Sequence, residues 1–484
     1  MDTLAFEHHL TSPQGRGRLP DGGFAATAGG YACCDEVRLS VSVHGDRVED
    51  AGFEARGCGA ASAAGSAAVS LVRGRRLLEA ARVGPHAISA ELGGLSPAKH
   101  HAAELAADAL ARALGAAVRE RAKVPQAEHG RALVAMSGGV DSAVAALLES
   151  RDRESVAVTL ELWSDAENDA ERSCCSASAV AQARALAHSM GLPHFTLDLR
   201  REFRGGVVEP FLAGYAAGET PNPCVGCNGH VRLDAMLALA DRLGCDFLAT
   251  GHYARVVEHD HDHGPLLRVA ADPAKDQSYM LAALAPSSLA RLRFPLGELT
   301  KPEVRRIAAD AGLPVAAKID SQDLCFLAGT DRGRFLERHG RLATRPGSLV
   351  DRSDRVLGRH RGQHLFTVGQ RRGLGVASDQ PLYVLDKDAV TNRVTIGPRA
   401  ALGTTSVPVR AAQLRRPAAR VDRVKLRYRS EPIPARILGT RGPGRYPRLE
   451  LALERSAEGV APGQLACLMD GELVLGYGTI VRPA

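Results

Sequence analysis

Between an apolar strand, Arg131-Ala-Leu-Val-Ala-Met136, and an apolar helical run, Ala143-Val-Ala-Ala-Leu-Leu148, stands the hexapeptide Ser137-Gly-Gly-Val-Asp-Ser142. Two adjacent glycines at a strand-to-helix junction let backbone N–H groups converge on an anion, and the helix that follows adds unpaired donors and the positive end of its dipole. A phosphate or pyrophosphate is the guest such a loop predicts. No lysine occupies the position that Gly-x-x-x-x-Gly-Lys-Ser/Thr demands, so this is not a loop that grips terminal phosphates for γ-phosphoryl transfer. Asp141, near the helix start, is placed to help hold Mg2+ or to orient the loop. The alternation continues through Val156-Ala-Val-Thr-Leu160, a helical Ala177 to Met190, Phe195-Thr-Leu-Asp198, a helical Leu233 to Leu243 and Phe247-Leu-Ala-Thr250. Strands alternating with helices predict an α/β domain with a doubly wound parallel sheet covered on both faces.

The rest of the 484 residues is organised around that unit, and a chain of this length is expected to hold about three domains. Upstream, residues 31–122 read as sheet followed by Ala-rich helices, a small α+β unit. Residues 123–130 have no apolar period and carry Pro and Gly, which marks a linker. The expected units are 1–125, the α+β domain with its linker, and 126–335, the nucleotide-loop domain. A central β-rich domain is expected over 336–404 and a C-terminal β-barrel over 405–484. The net charge of +6 is unevenly spread: residues 405–484 hold 14 Lys and Arg against 7 Asp and Glu, or +7, which leaves −1 for everything before them. A polyanionic partner is expected there. The longest small-apolar stretch, Ala60 to Val72, is broken by Ser and Gly and too short to span a bilayer. The first ten residues lack both a basic start and an apolar run, so a cytoplasmic protein without membrane partners is expected.

Ten cysteines are too sparse for a disulfide scaffold, and clustered thiols in a reducing compartment point to catalysis or metal binding. Thr220-Pro-Asn-Pro-Cys-Val-Gly-Cys-Asn228 presents Cys224 and Cys227 on a Pro-stiffened loop, and Asp320-Ser-Gln-Asp-Leu-Cys-Phe326 supplies Cys325. Three readings stand side by side: a structural Zn2+ site, for which the sequence offers too few partners; an iron–sulfur cluster on Cys224, Cys227 and Cys325 with one iron open; and a redox pair. Cys245 and Cys467 lie in apolar runs and read as packing residues, and Cys174-Cys175 carries no assignment. The acidic, His-rich Glu258 to His263 reads as a solvated hairpin tip rather than a metal site.

Taken with its context, Ser137 to Ser142 resembles the pyrophosphate loop of ATP pyrophosphatases. Together with Thr220 to Asn228, Thr250-Gly-His-Tyr-Ala-Arg255, Lys275-Asp-Gln-Ser-Tyr-Met280, Asp320 to Cys325 and His364-Leu-Phe-Thr-Val-Gly-Gln-Arg-Arg-Gly373, it follows the order of the tRNA-specific 2-thiouridylases. The resemblance runs from about 131 to the C-terminus, roughly three quarters of the chain. It implies an enzyme, a tRNA-uridine 2-sulfurtransferase. ATP, with Mg2+, activates O2 of the wobble uridine as an adenylate, and a persulfide on Cys325 delivers sulfur to C2. Cys227 then closes a disulfide with Cys325. By the same resemblance, Ala135, Met136, Ser137, Gly138, Gly139, Val140, Asp141, Ser142, Leu160 and Gly251 line the ATP site, and Asn222, Pro223 and Cys224 face the target base. His252, Lys275, Asp276, Gln277, Arg427, Tyr428 and Gln464 contact or position tRNA, and a cysteine desulfurase or sulfur-relay protein feeds sulfur. Relatives that carry Asp at the position of Cys224 assign it acid/base work; here a thiol stands there.

The N-terminal unit carries a second resemblance. Ala32-Cys-Cys-Asp35, Val37-Arg-Leu-Ser-Val41, Phe53-Glu-Ala-Arg-Gly-Cys-Gly-Ala-Ala61 and Lys99-His-His-Ala102 resemble the U-type iron–sulfur cluster scaffold proteins. Cys33, Asp35 and Cys58 match three of that family's ligand positions. Ala102 stands where the scaffold has its third cysteine and Cys34 where glycine is usual, which leaves His101 as the further ligand candidate. Two thiols, a carboxylate and an imidazole suit Zn2+ or a labile iron–sulfur cluster. The resemblance implies a docking or sulfur-relay module ahead of a metal-free remnant.

Overall fold

A computed structural model of the chain describes residues 3–29, 34–165, 177–258, 264–320, 324–327 and 329–483. Cys33, Cys174, Cys175, residues 259–263 of the His-rich stretch and residues 321–323 before Cys325 lie outside them.

The nucleotide-loop domain holds a five-stranded sheet whose order in space is Leu292–Arg293, Phe247–Thr250, Arg131–Ala135, Glu154–Glu161 and His194–Asp198, with every neighbouring pair parallel. Its strands read as unbroken apolar runs because both faces are covered. Successive side chains point to opposite faces: Ala132, Val134 and Ala157 pack with Val144, Leu186 and Val304 from the helices Val140–Asp152, Ala177–Ser189 and Lys301–Asp310. On the other face, Leu133, Val156, Val158 and Phe195 pack with Leu233, Met236 and Leu237 of the helix Leu233–Arg242. That second helix layer is completed from outside the domain.

The N-terminal unit is an antiparallel meander, Phe24–Gly29, Glu36–His44 and Arg47–Arg56, backed by the helices Gly59–Val72, Pro85–Glu91 and His100–Glu120. Val37, Leu39 and Val41 face its core, as the alternating pattern predicts. The helix Thr3–Thr11 and the strand Phe24–Gly29 were not expected from residues 31–122, because the edge strand Phe-Ala-Ala-Thr-Ala-Gly is almost all small residues and carries no β signal. The long helix His100–Glu120 lies against the outer strand His194–Asp198 so closely that a Cβ on Gly115 would stand 1.9 Å from the Thr196 carbonyl oxygen. Arg112 meets Glu161 at 2.6 Å, Arg184 meets Asp108 at 2.5 Å, and His194 N–H donates to the Ala81 carbonyl at 2.9 Å. Residues 123–130, expected as a linker, are held down: Val124 is buried and its N–H donates to the Arg242 carbonyl at 2.8 Å. The composition signals a break in periodicity, and the tertiary contacts fix the segment anyway.

Downstream, a four-stranded sheet runs Val356–His360, Gly347–Val350, Arg393–Pro398, Leu382–Asp388. A closed six-stranded barrel follows, in the order Gly403–Leu414, Gly444–Glu458, Ile433–Ile437, Arg423–Lys425, Leu465–Asp470 and Leu473–Ile480, the last pairing back to the first. Its first strand crosses the boundary expected at 404. The nucleotide domain lends the barrel sheet a hairpin, Arg255–Val257 with Leu266–Arg268, which pairs to Leu473 and Val474. These two strands flank the His-rich stretch. Among the described residues no helix is long and apolar enough to cross a membrane.

Candidate active site

The strands Arg131–Ala135 and Phe247–Thr250 are neighbours in the sheet but distant in sequence, so their carboxyl ends border the crevice where strand order reverses, the place where open α/β sheets bind ligands. Ser137–Ser142 leaves the first strand and Gly251-His252 the second. Gly138 adopts φ +70°, a left-handed conformation that favours glycine. The Ser142 hydroxyl accepts from the Ser137 N–H and donates to the Gly139 carbonyl, each at 3.1 Å, which closes the loop on itself. Met136 and Val140 are buried in the core, so only their backbone reaches the loop. Leu160 is buried near the end of its strand. Gly251 lies under the loop: a Cβ there would stand 2.7 Å from Asp141 C and Ser142 N.

Of a set of charges beside the loop, the sequence named Asp141 and, for tRNA, Lys275, but gave no role to Lys301, Arg305 or Lys318. Asp141 accepts from the Tyr253 hydroxyl at 2.9 Å and from Lys301 Nζ at 2.6 Å. Lys301 also reaches Asp320 at 2.8 Å, where Lys275 at 2.8 Å and Arg305 at 3.0 Å join it. Lys318 Nζ donates to the Gly138 carbonyl at 2.9 Å. Burial works to raise the Asp320 pKa, but the bonds from Lys275 and Lys301 outweigh it and hold the carboxyl below its ordinary value. Burial, and then the charge of Asp141, push the Tyr253 phenol far up, so it remains a donor. One local signal was available. Lys301 opens a helix capped by Thr300 with Glu303, where the helix dipole disfavours a cation unless anions are near.

The Cys-x-x-Cys loop is shaped by its own residues. The Asn222 side chain accepts from the Cys224 N–H at 3.1 Å and Pro223 opens the short helix Pro223–Gly226. Cys227 then begins a π-helical turn, Cys227–Arg232, an irregularity frequent at functional sites. Cys224, Cys227 and Cys325 are thiols; Cys227 is buried, the other two half-buried. The Cys227–Arg232 turn packs on the helix Arg200–Phe203. The Phe203 ring lies 5.8 Å from that of Phe326, the neighbour of Cys325. Phe211 and Phe335 each pack 5.1 Å from Phe326, so the root of Cys325 is anchored in an aromatic cluster on the side of the molecule that carries Cys227. Cys245 and Cys467 are buried, and burial pushes both thiols up to about 12.

Of the residues expected at the tRNA side, Gln464 meets the same loop directly. The Gln464 amide donates to the Thr220 carbonyl at 2.6 Å, and the Thr220 N–H donates to Pro462 at 2.7 Å, which seats the barrel on the Cys-x-x-Cys loop. Arg410 adds a bidentate pair to Glu219 at 2.6 and 2.9 Å. The Gln277 side-chain oxygen accepts from the Tyr253 N–H at 3.0 Å while the Gln277 N–H donates to the Tyr253 carbonyl at 2.8 Å. Tyr428 packs 6.4 Å from Tyr279, whose hydroxyl donates to the Leu465 carbonyl at 2.8 Å. His252 bonds Thr250 at 2.7 Å, and burial lowers its pKa to about 3, so the imidazole is neutral near pH 7. Three residues are otherwise engaged, Lys275 by its pair with Asp320 at 2.8 Å. Asp276 is buried, with Ser278 at 2.9 Å and Lys425 at 3.4 Å on one carboxylate oxygen. Arg427 donates to the carbonyls of Val368, at 3.1 Å, and Gly459, a joint between the central sheet and the barrel.

In the N-terminal unit, Asp35, Cys58 and His101 bring one ligand atom each within 4.8 Å of one another. Asp35 accepts from the Cys58 N–H at 2.7 Å and from its thiol at 3.1 Å, and meets His101 Nε2 at 2.8 Å. Burial works against ionisation of Asp35, but bonds from His101 and Cys58 hold its carboxyl below the ordinary value, and the Asp35 bond raises His101. Gly57, at φ +108°, is required here because a Cβ would fall 1.9 Å from the Asp35 carboxylate. Ala102 is fully buried, so that helix position offers the cluster nothing. Sulfur, carboxylate and imidazole donors at this spacing suit Zn2+.

Family models match end to end along the chain: a NifU-like N terminal domain over 4–123, a tRNA methyl transferase HUP domain over 130–329, a tRNA methyl transferase PRC-barrel domain over 333–398 and an aminomethyltransferase beta-barrel domain over 413–480. A bifunctional protein NifU/MnmA of Rubrobacter xylanophilus is 44% identical over 488 residues, covering 98% of this chain and 97% of the relative. Two tRNA-specific 2-thiouridylases named MnmA, from Roseiflexus castenholzii and Chloroflexus aggregans, are 42% and 43% identical over 72% of this chain, and 99% and 98% of their own lengths are covered. With the parallel sheet, its loop and the downstream barrel already in view, the chain belongs to the bifunctional NifU/MnmA family, a tRNA 2-thiouridylase preceded by a NifU-like domain.

Proposed function

We propose that the chain thiolates C2 of the wobble uridine by adenylation followed by persulfide transfer. The observation that carries this reading is the nucleotide loop at the switch of strand order, with the Cys227 turn and the Cys325 root joined through Phe203 and Phe326. The amides of Ser137–Ser142 would hold ATP, and Asp141 is the carboxylate available to Mg2+, which neutralises phosphate charge. Bound there, ATP makes O2 of uridine a good leaving group as AMP. The outer sulfur of the Cys325 persulfide attacks C2 and AMP leaves; the Cys227 thiolate then attacks Cys325 Sγ and breaks its bond to that outer sulfur, which stays on C2, so that a Cys227–Cys325 disulfide forms for a cellular thiol to reduce. Backbone donors preorganised for phosphate need no rearrangement as charge develops. Asn222, Pro223 and Cys224 would frame the flipped base, with the neutral His252, Tyr428 and Gln464 on the tRNA side. The positive barrel supplies phosphate contacts.

The test is mass spectrometry of tRNA after incubation with ATP and a sulfur donor. Cys227→Ser and Cys325→Ser should each abolish thiolation while release of pyrophosphate from ATP in the adenylation step persists. Full activity in Cys325→Ser would remove the persulfide role.

A second reading, a cluster-dependent thiolase or an iron–sulfur cluster carrier, would use the thiols Cys224, Cys227 and Cys325, although among the described residues it is Asp35, Cys58 and His101 that bring ligand atoms within 4.8 Å of one another. Full thiolation by protein reconstituted anaerobically without a visible cluster band would eliminate it. For the N-terminal domain, the Asp35, Cys58 and His101 group supports Zn2+ or labile iron–sulfur binding, with Cys33 as the fourth ligand, and a docking or relay role toward a cysteine desulfurase. A cytoplasmic location fits that reducing chemistry.

A further inference from the structure

The pyrophosphate loop has no lysine of its own, yet a triphosphate brings several negative charges into a half-closed crevice, and those charges need partners. Four cations stand beside the loop, contributed by three separate pieces of chain. Lys275 precedes the helix Ser278–Leu281. Lys301 and Arg305 share one face of the helix Lys301–Asp310, four residues apart. Lys318 lies beyond that helix and touches the loop itself, through the Gly138 carbonyl at 2.9 Å. Against these four the structure sets Asp141 and Asp320 as ion-pair partners and Asp272 on the Lys301 N–H at 3.0 Å, so the group carries an excess of one positive charge. Asp320 is the notable member. It takes bonds from Lys275 at 2.8 Å, Lys301 at 2.8 Å and Arg305 at 3.0 Å, a set of donors that matches the demand of a phosphate better than that of one carboxylate. Lys301 is nine-tenths buried and bridges Asp141 to Asp320, at a helix start whose dipole already favours an anion.

We propose that Lys275, Lys301, Arg305 and Lys318 form the clamp for the β- and γ-phosphates, released as pyrophosphate, and that Asp320 occupies this clamp as a stand-in anion until nucleotide arrives. The inference rests on the assignment of the ATP site to Ser137–Ser142. Phosphate oxygens entering the crevice compete with Asp320 for the same three donors, and Lys301 passes from bridging two carboxylates to bridging Asp141 and phosphate. No covalent bond changes in the exchange. The lysine that a phosphate-gripping loop usually carries is thereby supplied from outside the loop.

The experiment is calorimetric titration of the full-length protein with magnesium pyrophosphate and, separately, with a non-hydrolysable ATP analogue. Lys318→Ala, at an exposed position, should bind pyrophosphate about tenfold or more weakly, the cost of one charge-assisted contact. Lys301→Ala should lose more. Asp320→Asn should bind it several-fold more tightly, because a competing anion is gone. Pyrophosphate binding by Lys318→Ala equal to wild type, or weaker binding by Asp320→Asn, overturns the clamp while ATP binding at the loop stands. Failure of the wild type to bind either ligand overturns the ATP-site assignment and the clamp with it.

Discussion

Gly251→Ala puts the geometry of the nucleotide loop to a sharp test. The added methyl would stand 2.7 Å from Asp141 C and Ser142 N, short of an ordinary 3.4 Å contact by about 0.7 Å. Both neighbours are backbone atoms at the start of the helix Val140–Asp152, so no flexible side chain can yield. Overpacking of this kind costs about 1–3 kcal/mol, and the cheapest relief is to push the helix start and its amides outward. An amide held about 2.9 Å from a phosphate oxygen would then sit about 3.6 Å away, beyond hydrogen-bond range. Loss of one or two charge-assisted bonds at about 1.5 kcal/mol each predicts ATP affinity reduced roughly 10- to 100-fold. Calorimetric titration with a non-hydrolysable ATP analogue measures this, with tRNA affinity and the alkylation rates of Cys227 and Cys325 as controls that should not move. ATP affinity within twofold of wild type would refute the placement of Gly251 beneath the loop.

Two further outcomes are expected. Gly115→Ala places a methyl 1.9 Å from the Thr196 carbonyl; it should lower the melting temperature by several degrees and open residues 121–130 to limited proteolysis, and unchanged melting would show that the long helix is not seated on the sheet edge. The same interface sets a pH dependence. Burial lowers the His188 pKa to about 4 and that of His194 well below its ordinary 6.5, so between pH 6.5 and about 4 the unfolded chain binds more protons and folding stability falls as pH falls. Denaturant titrations from pH 7 to pH 5 should show this loss, and replacing both histidines by Gln should shrink it; an equal loss in the double variant would place the acid sensitivity elsewhere.

The parts of this protein that could be read from the chain alone are those whose physics is local. Ser137–Ser142, the apolar strands and the helix Leu233–Arg242 depend on side-chain period and on glycine and proline over a few residues, and they stand where those patterns put them. Asp35, Cys58 and His101, named from motif positions, do come within 4.8 Å of each other. The strand Phe24–Gly29 left no trace because alanine and glycine carry no strand period.

What the tertiary structure alone decided is convergence. Lys301 meets Asp141 across 160 residues, Lys318 meets Gly138 across 180, and Lys275 meets Asp320 across 45; in sequence Lys301 and Lys318 are ordinary surface charges, and Lys275 was expected at tRNA. Arg427, expected to reach for phosphate, has its guanidinium on two backbone carbonyls, and the helix that completes the nucleotide sheet comes from the NifU-like domain. Periodicity is set by neighbours along the chain, whereas a charge finds its partner only after the path of the chain has brought distant segments together and excluded the water that would otherwise satisfy it.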